Sequence, residues 1–237
     1  MNAARPGRLA LFLLSAGIAT CAHAVNVPGT SDPWLAGMPD GTTASLEDSA
    51  PGQSPVRVDT IDVSLGGTLT FTVTGGVYNG PGNAFDPIDG GSSFSHDPGP
   101  EHGIADAFIP INALVGVFLD NDLPDAAAAP AMLDFRTGAL GTDFTSLAPA
   151  LKQVFFIGDG LTGTGSGAPQ AFLIPTGARR LFLGTMDGYG WWNNTGSFDV
   201  AIEHVRAVPE PGTWAMLAAG GVGLMLRRRQ RVLQAGA

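Results

Sequence analysis

Hydrophobic and polar positions alternate along this chain in short stretches, and no long segment keeps a helical period. In "TLTFTVT", residues 68–74, Leu69, Phe71 and Val73 fall on one side and Thr68, Thr70, Thr72 and Thr74 on the other. A period of two marks a half-buried strand. "VRVDTIDV" (56–63) and "GSFDVAIEHV" (196–205) alternate in the same way, the second with Phe198, Val200, Ile202 and His204 on one face. The continuous apolar run "ALVGVFL" (113–119) reads as a central strand, and 153–158, 170–175 and 179–187 as further strands. The chain holds 34 glycines and 18 prolines, which break helices and serve turns. The pattern predicts an all-β fold of at least seven short strands. Two sheets packed face to face, a jelly-roll or Greek-key β-sandwich over residues 56–207, is the natural architecture.

The connections divide the rest. Residues 25–55, rich in Pro, Gly, Ser and Asp, read as an extended lead-in tacked onto the domain by Trp34 and Leu35. The segment from Gly75 to Asp106 is long for a structureless connection, and such loops are commonly functional or disordered.

Both ends carry targeting signals, so the sandwich is flanked by two predicted helices. Arg5 and Arg8, an apolar run from Leu9 to Ala19, and Ala22-His23-Ala24 form a secretory signal peptide (1–24) with cleavage after Ala24. A lipoprotein signal ending before Cys21 is the rival, with Thr20 fitting it badly. The only cysteine leaves with the signal or lies at its edge, so the exported domain has no disulfide. At the other end, 213–226 is an uncharged, mostly apolar run. As a single transmembrane helix it reaches only about 21 Å against a hydrocarbon core of roughly 30 Å. Arg227, Arg228 and Arg229 extend that reach by snorkelling and hold the C-terminus in the cytoplasm.

Pro209-Glu210-Pro211, a short Gly/Ala-rich apolar helix and an arginine cluster stand in that order before the tail 232–237. This arrangement (208–231) resembles the PEP-CTERM sorting signal, carried by Gram-negative bacteria that make extracellular polysaccharide. The resemblance implies a membrane anchor that is transient, an exosortase-type sorting protease as partner, and delivery to the cell surface or matrix. An ordinary tail anchor is the alternative.

Charge narrows the partners. Between residues 25 and 208 lie 20 acidic side chains against six basic ones, a formal charge of −14. Nucleic acid, which wants a basic face, is disfavoured. A divalent cation suits the domain better, although acidity also serves plain solubility.

The densest chemistry sits in "GTMDGYGWWNNTGSFDV", residues 184–200. Asp187 ends one strand and Gly196 opens the next. Asn193 and Asn194 offer side-chain carbonyls, and Gly188 and Gly190 permit tight backbone. Calcium takes six to eight such oxygens at about 2.3–2.6 Å. The same residue types also make a hairpin turn. The stretch resembles the loop of the small bacterial calcium-dependent galactose-binding lectins, which are jelly-roll sandwiches. The resemblance implies calcium as cofactor, bound by Asp187, Asn193, Asn194, a backbone carbonyl of Gly190 or Trp191, and one at Asn79. It implies a sugar held at Asp187 and Asn193. The place of a sugar-contacting Gln falls on His102 and that of a His on Gly99, which puts galactose in doubt. Trp191 and Trp192 suit stacking on a pyranose, with one of the pair expected to face inward. The function so implied is a non-enzymatic surface or matrix protein binding calcium and an extracellular polysaccharide or glycan. A structural matrix protein without a sugar site and a polysaccharide-acting enzyme are the alternatives.

Other constellations are weaker. "DNDLPD" (120–125) lacks the turn glycine and closing Glu of a calcium loop. "GTGSG" (163–167) lacks the strand-to-helix setting of a phosphate loop. His96, His102 and His204 have no metal spacing, and no G-x-S-x-G occurs. A spatial carboxylate pair stays open.

Overall fold

The structure, a computed structural model, describes residues 23–206 other than 46, 82–84, 93–95 and 97. The signal segment up to residue 22, the Pro209-Glu210-Pro211 motif, the predicted helix 213–226 and the arginines 227–229 lie outside the described residues. Among the described residues no helix is long and apolar enough to cross a membrane.

Nine strands make two main sheets. They are β1 (His23–Pro28), β2 (Val56–Arg57), β3 (Thr68–Tyr78), β4 (Leu114–Leu119), β5 (Ser146–Leu147), β6 (Val154–Phe156), β7 (Ala171–Leu173), β8 (Arg180–Thr185) and β9 (Thr195–Val205). One sheet runs β1-β9-β3-β7-β5 and the other β6-β4-β8-β2. The only helical elements among the described residues are 3-10 turns. The all-β reading therefore holds.

The alternation predicted for the long strands is the burial pattern observed. Leu69, Phe71 and Val73 of β3, and Phe198, Val200 and Ile202 of β9, are buried. They pair across the antiparallel ladder, Phe71 opposite Ile202 and Val73 opposite Val200. Opposite Phe198 stands Gly75, with φ near 100°. A Cβ there would strike the Ser197 carbonyl, so only glycine lets β3 continue to Tyr78. β4 is buried at every position, as its unbroken apolar run predicts. The stretch 56–63 forms strand only at Val56–Arg57, then turns into the 3-10 turn Val63–Leu65, capped by the Asp62 side chain.

Both sheets face one core. Phe155 of β6 lies 5.7 Å from Phe172 of β7, and Phe172 makes an edge contact with Phe71 at 5.1 Å. Such aromatic pairs add about 0.5–1.5 kcal/mol each beyond the area they bury. Residues 25–55 close one side of this core. They carry most of β1, which pairs with β9, a 3-10 turn at Pro33–Leu35, and a small hairpin, Thr43–Ala44 with Asp48–Ser49. Trp34 and Leu35 are fully buried, and the Trp34 indole donates to the Ala105 carbonyl at 3.1 Å.

Candidate functional site

β8 and β9, which flank the Trp-Trp-Asn-Asn stretch, belong to different sheets. The connection between them is therefore an arch that crosses from sheet to sheet, and the hairpin alternative is corrected. The distinction matters chemically. A hairpin turn passes its N–H and C=O groups to a ladder on either side, whereas an arch must find other partners for them.

The arch is built from a left-handed Gly190 (φ 82°) leading into a 3-10 turn, Trp191–Asn193. Asn193 N–H bonds the Gly190 carbonyl at 3.3 Å, and Asn194 N–H the Trp191 carbonyl at 3.0 Å. Of the tryptophan pair, Trp191 is fully buried and Trp192 is 51% exposed. The Trp191 indole donates to the Thr185 carbonyl at 2.8 Å and packs 5.5 Å from Trp34. It presents no face to a sugar, so a stacking role for Trp191 is corrected. Its part is to plug the arch onto the core. Trp192 and the neighbouring Tyr189, 58% exposed, carry the accessible aromatic surface.

Asp187 is almost fully buried at the end of β8. Burial pushes its carboxyl above the usual range, against the pull of the Asn194 amide and the N–H groups of Gly188 and Tyr189. Asn194 is equally buried. Its Nδ2 donates to the Gly29 carbonyl at 3.2 Å, while its Oδ1 has no hydrogen-bond partner. The Asn79–Gly80 turn abuts the arch from β3. Thr195 Oγ1 donates to the Gly80 carbonyl at 3.1 Å, and a Cβ on Gly80 would meet Asn193 Oδ1 at 3.7 Å. Asp187, Asn194, Asn193 and the turn at Asn79 are thus brought to one end of the β3–β9 ladder.

His102 stands apart from them. It is half-buried, and its Nε2 is 2.9 Å from the Thr43 carbonyl. The hairpin Thr43–Ser49 links it to the arch without contact between the two.

Three contributors had no signal in the sequence. Asp48 is fully buried, and its two carboxylate oxygens accept the N–H groups of Trp191 (3.0 Å) and Trp192 (2.7 Å). Asn112, at a left-handed φ of 67°, donates through Nδ2 to Asn79 Oδ1 (2.9 Å) and Asp86 Oδ2 (2.7 Å). Its own N–H bonds the Met186 carbonyl at 2.7 Å, so it ties the Asn79 turn to the end of β8. Asp32 is buried with Oδ1 on the Trp34 N–H and Oδ2 unpartnered, and burial pushes its carboxyl well above the usual range. Only the positive φ of Asn112 has a local hint, since Asn tolerates that region better than most residues. Beneath the arch the His96 ring stacks on Trp34 at 3.5 Å.

The donor set can be tested against calcium. Among the described residues no group of three or more His, Cys, Asp or Glu is arranged to hold a metal ion. The arch offers instead one carboxylate, two amide oxygens and backbone carbonyls, a hard-oxygen set that suits calcium and not a soft-ligand metal. The unpartnered, buried Asn194 Oδ1 fits an oxygen awaiting a cation. When bound, calcium would be held by Asp187, Asn193, Asn194 and carbonyls of the arch and of Asn79.

The remaining constellations resolve plainly. "GTGSG" is the turn of the hairpin Leu161–Gly163 with Ser166–Pro169. The carbonyls of Asp120 and Asp122 accept from Arg180, both at 2.6 Å. Asp89 and Asp159 do form a spatial carboxylate pair, but Asp159 accepts the N–H groups of Leu161 (2.8 Å) and Gly165 (2.6 Å), and Asp89 that of Asp159 (2.8 Å). A cleft of about 490 Å³ beside Asp89 is lined by Thr142, Asp143 and Phe144 among others, and by no residue of the arch.

The fold and site define an all-β domain with a polar, cross-sheet arch. Residues 207–229 match the PEP-CTERM protein-sorting motif. The chain therefore carries that motif, which implies an exported protein, membrane-anchored by its C-terminal tail until an exosortase sorts it. No curated protein and no solved structure matches the chain.

Proposed function

We propose that the exported domain is a calcium-dependent carbohydrate-binding module, displayed at the cell surface or in the extracellular matrix of a Gram-negative bacterium. The observation that carries this reading is Asn194. Its Oδ1 is buried without a partner, while its amide bonds the buried Asp187 carboxyl. Buried polar atoms are rarely left unpaired, and an orphan hard-oxygen acceptor in an arch that also carries a carboxylate suits a cation.

The connection order supports the same reading. Leaving out the edge strand β5 and counting the other eight in chain order, the sheets run 1-8-3-6 and 5-4-7-2. That is the strand order of a jelly roll, the fold of the lectins that the Asp-Gly-Tyr to Asn-Asn stretch resembles. Calcium would supply a positive centre for sugar hydroxyls, with Asp187 and Asn193 orienting them. Trp192 would cover an apolar sugar face. We read the domain as a binder and not an enzyme, since Asp89 and Asp159 are taken up with backbone N–H groups.

The test is calorimetric titration of the mature protein with calcium, followed by a glycan array with calcium or with chelator. Calcium heat with chelator-sensitive glycan signal supports the reading. Absence of both leaves a structural matrix protein, and turnover of the host's own polysaccharide would make it an enzyme.

A further inference from the structure

We infer that Asp48, on the hairpin between β1 and β2, is the positioning residue of the calcium site, setting the direction of the Gly190 and Trp191 carbonyls, one of which would be the arch's backbone ligand. This inference rests on the calcium reading of the arch. A peptide unit is planar and trans, so its N–H and its C=O point in opposite directions. The N–H of Trp191 shares a peptide with the carbonyl of Gly190, and the N–H of Trp192 with that of Trp191. Asp48 grips both N–H groups, at 3.0 and 2.7 Å, from one side. Both carbonyls must then point to the other side. Each accepts one N–H within the 3-10 turn, Gly190 from Asn193 and Trp191 from Asn194, and one of them would use its second lone pair as the arch's backbone ligand.

The grip is built for rigidity. Asp48 is fully buried, and it is held by the Ala44–Asp48 and Thr43–Ser49 pairing of its hairpin. The hairpin is fastened on its far side, where the Ser45 N–H donates to Glu101 at 3.1 Å and the Thr43 carbonyl meets His102. His102 thus braces the hairpin that carries Asp48. A charge-assisted bond to a carboxylate is about twice as strong as a neutral one, and two of them on successive peptides restrain the turn. Asp48 also stands close enough to raise the Asp187 carboxyl.

The experiment compares full-length mature protein with Asp48→Ala, Asp48→Asn and Gln170→Ala. Gln170 is a control of similar burial, bonded to the Thr142 and Phe144 carbonyls far from the arch. Amide hydrogen exchange is read without calcium, and calcium affinity by titration. In Asp48→Ala the Trp191 and Trp192 amides should exchange at least tenfold faster, and calcium should bind at least tenfold more weakly. Asp48→Asn keeps one acceptor oxygen and should leave one of the two amides protected, which secures the test if the alanine variant fails to fold. Gln170→Ala should lower the thermal midpoint while changing neither readout. Unchanged exchange at both tryptophan amides in both Asp48 variants overturns the inference. So does a loss of calcium affinity no greater than that of Gln170→Ala. Should the wild type bind no calcium, the calcium reading falls, and the exchange data alone decide whether Asp48 sets the arch.

Discussion

Asp48 and Trp192 are 144 residues apart in the chain, yet the Asp48 carboxylate accepts the Trp192 N–H at 2.7 Å. The bond joins a hairpin outside the sandwich to the arch that spans its two sheets. It holds the arch against the hairpin and so fixes where the arch oxygens point.

Calcium should stabilise the native domain. A ligand bound only by the folded state adds about 2.7 kcal/mol at a hundredfold excess over its dissociation constant. Asp187→Asn keeps the shape and removes the one carboxylate among the proposed ligands, so it should abolish most of that gain. Asn194→Ala should reduce it less. Thermal unfolding with calcium and with chelator checks both. An identical wild-type midpoint in the two conditions sinks the metal site.

Calcium affinity should rise with pH. Burial holds the Asp187 carboxyl above its unfolded value, so the native state keeps a proton that the unfolded chain has released. Without calcium this contribution to stability is complete below the ordinary carboxylate range and is lost as pH climbs through the raised value. Calcium must displace the proton, so binding should strengthen through the same window and level off above it. Titrations at a series of pH values measure the slope. A flat profile across the acid range would mean that Asp187 is not a ligand.

The two tryptophans should separate by function. Trp191→Ala removes a fully buried indole and should cost about 3–5 kcal/mol. Trp192→Ala, at a half-exposed position, should change stability by no more than about 0.5 kcal/mol while weakening glycan binding. Denaturant unfolding and the glycan array together check the pair. Equal destabilisation by both would contradict the burial difference.

Gly75→Ala should damage the β3–β9 ladder. The position combines φ near 100° with a Cβ path into the Ser197 carbonyl. Left-handed strain alone costs on the order of 1–3 kcal/mol, and the collision adds to it. Chemical denaturation reads the loss, and a variant as stable as wild type would show that the ladder yields there freely.

In a host with an exosortase, the protein recovered from the surface should end near residues 208–212. The motif at 207–229 motivates this. Mass spectrometry of the released protein is decisive, since chains running intact to Ala237 would show that the tail is not processed.

The sequence alone determined which side of each long strand faces inward, because alternation is local and a period of two reads directly as two faces. Leu69, Phe71, Val73, Phe198, Val200 and Ile202 were legible for that reason, and all are buried. The sorting motif was legible because it is a linear signal with its parts in order. The candidate loop was visible as a cluster of Asp, Asn and Gly, and its inward-outward tryptophan pair could be expected, though not which was which. Only the tertiary structure decided that β8 and β9 lie in different sheets, which turns an apparent hairpin into an arch. Only it joined Asn112 to Asn79 and Asp48 to the tryptophan amides. Those contacts link residues far apart in the chain. A buried carboxylate satisfied by backbone N–H groups leaves no trace in the sequence near either partner, because any residue's N–H can be the donor.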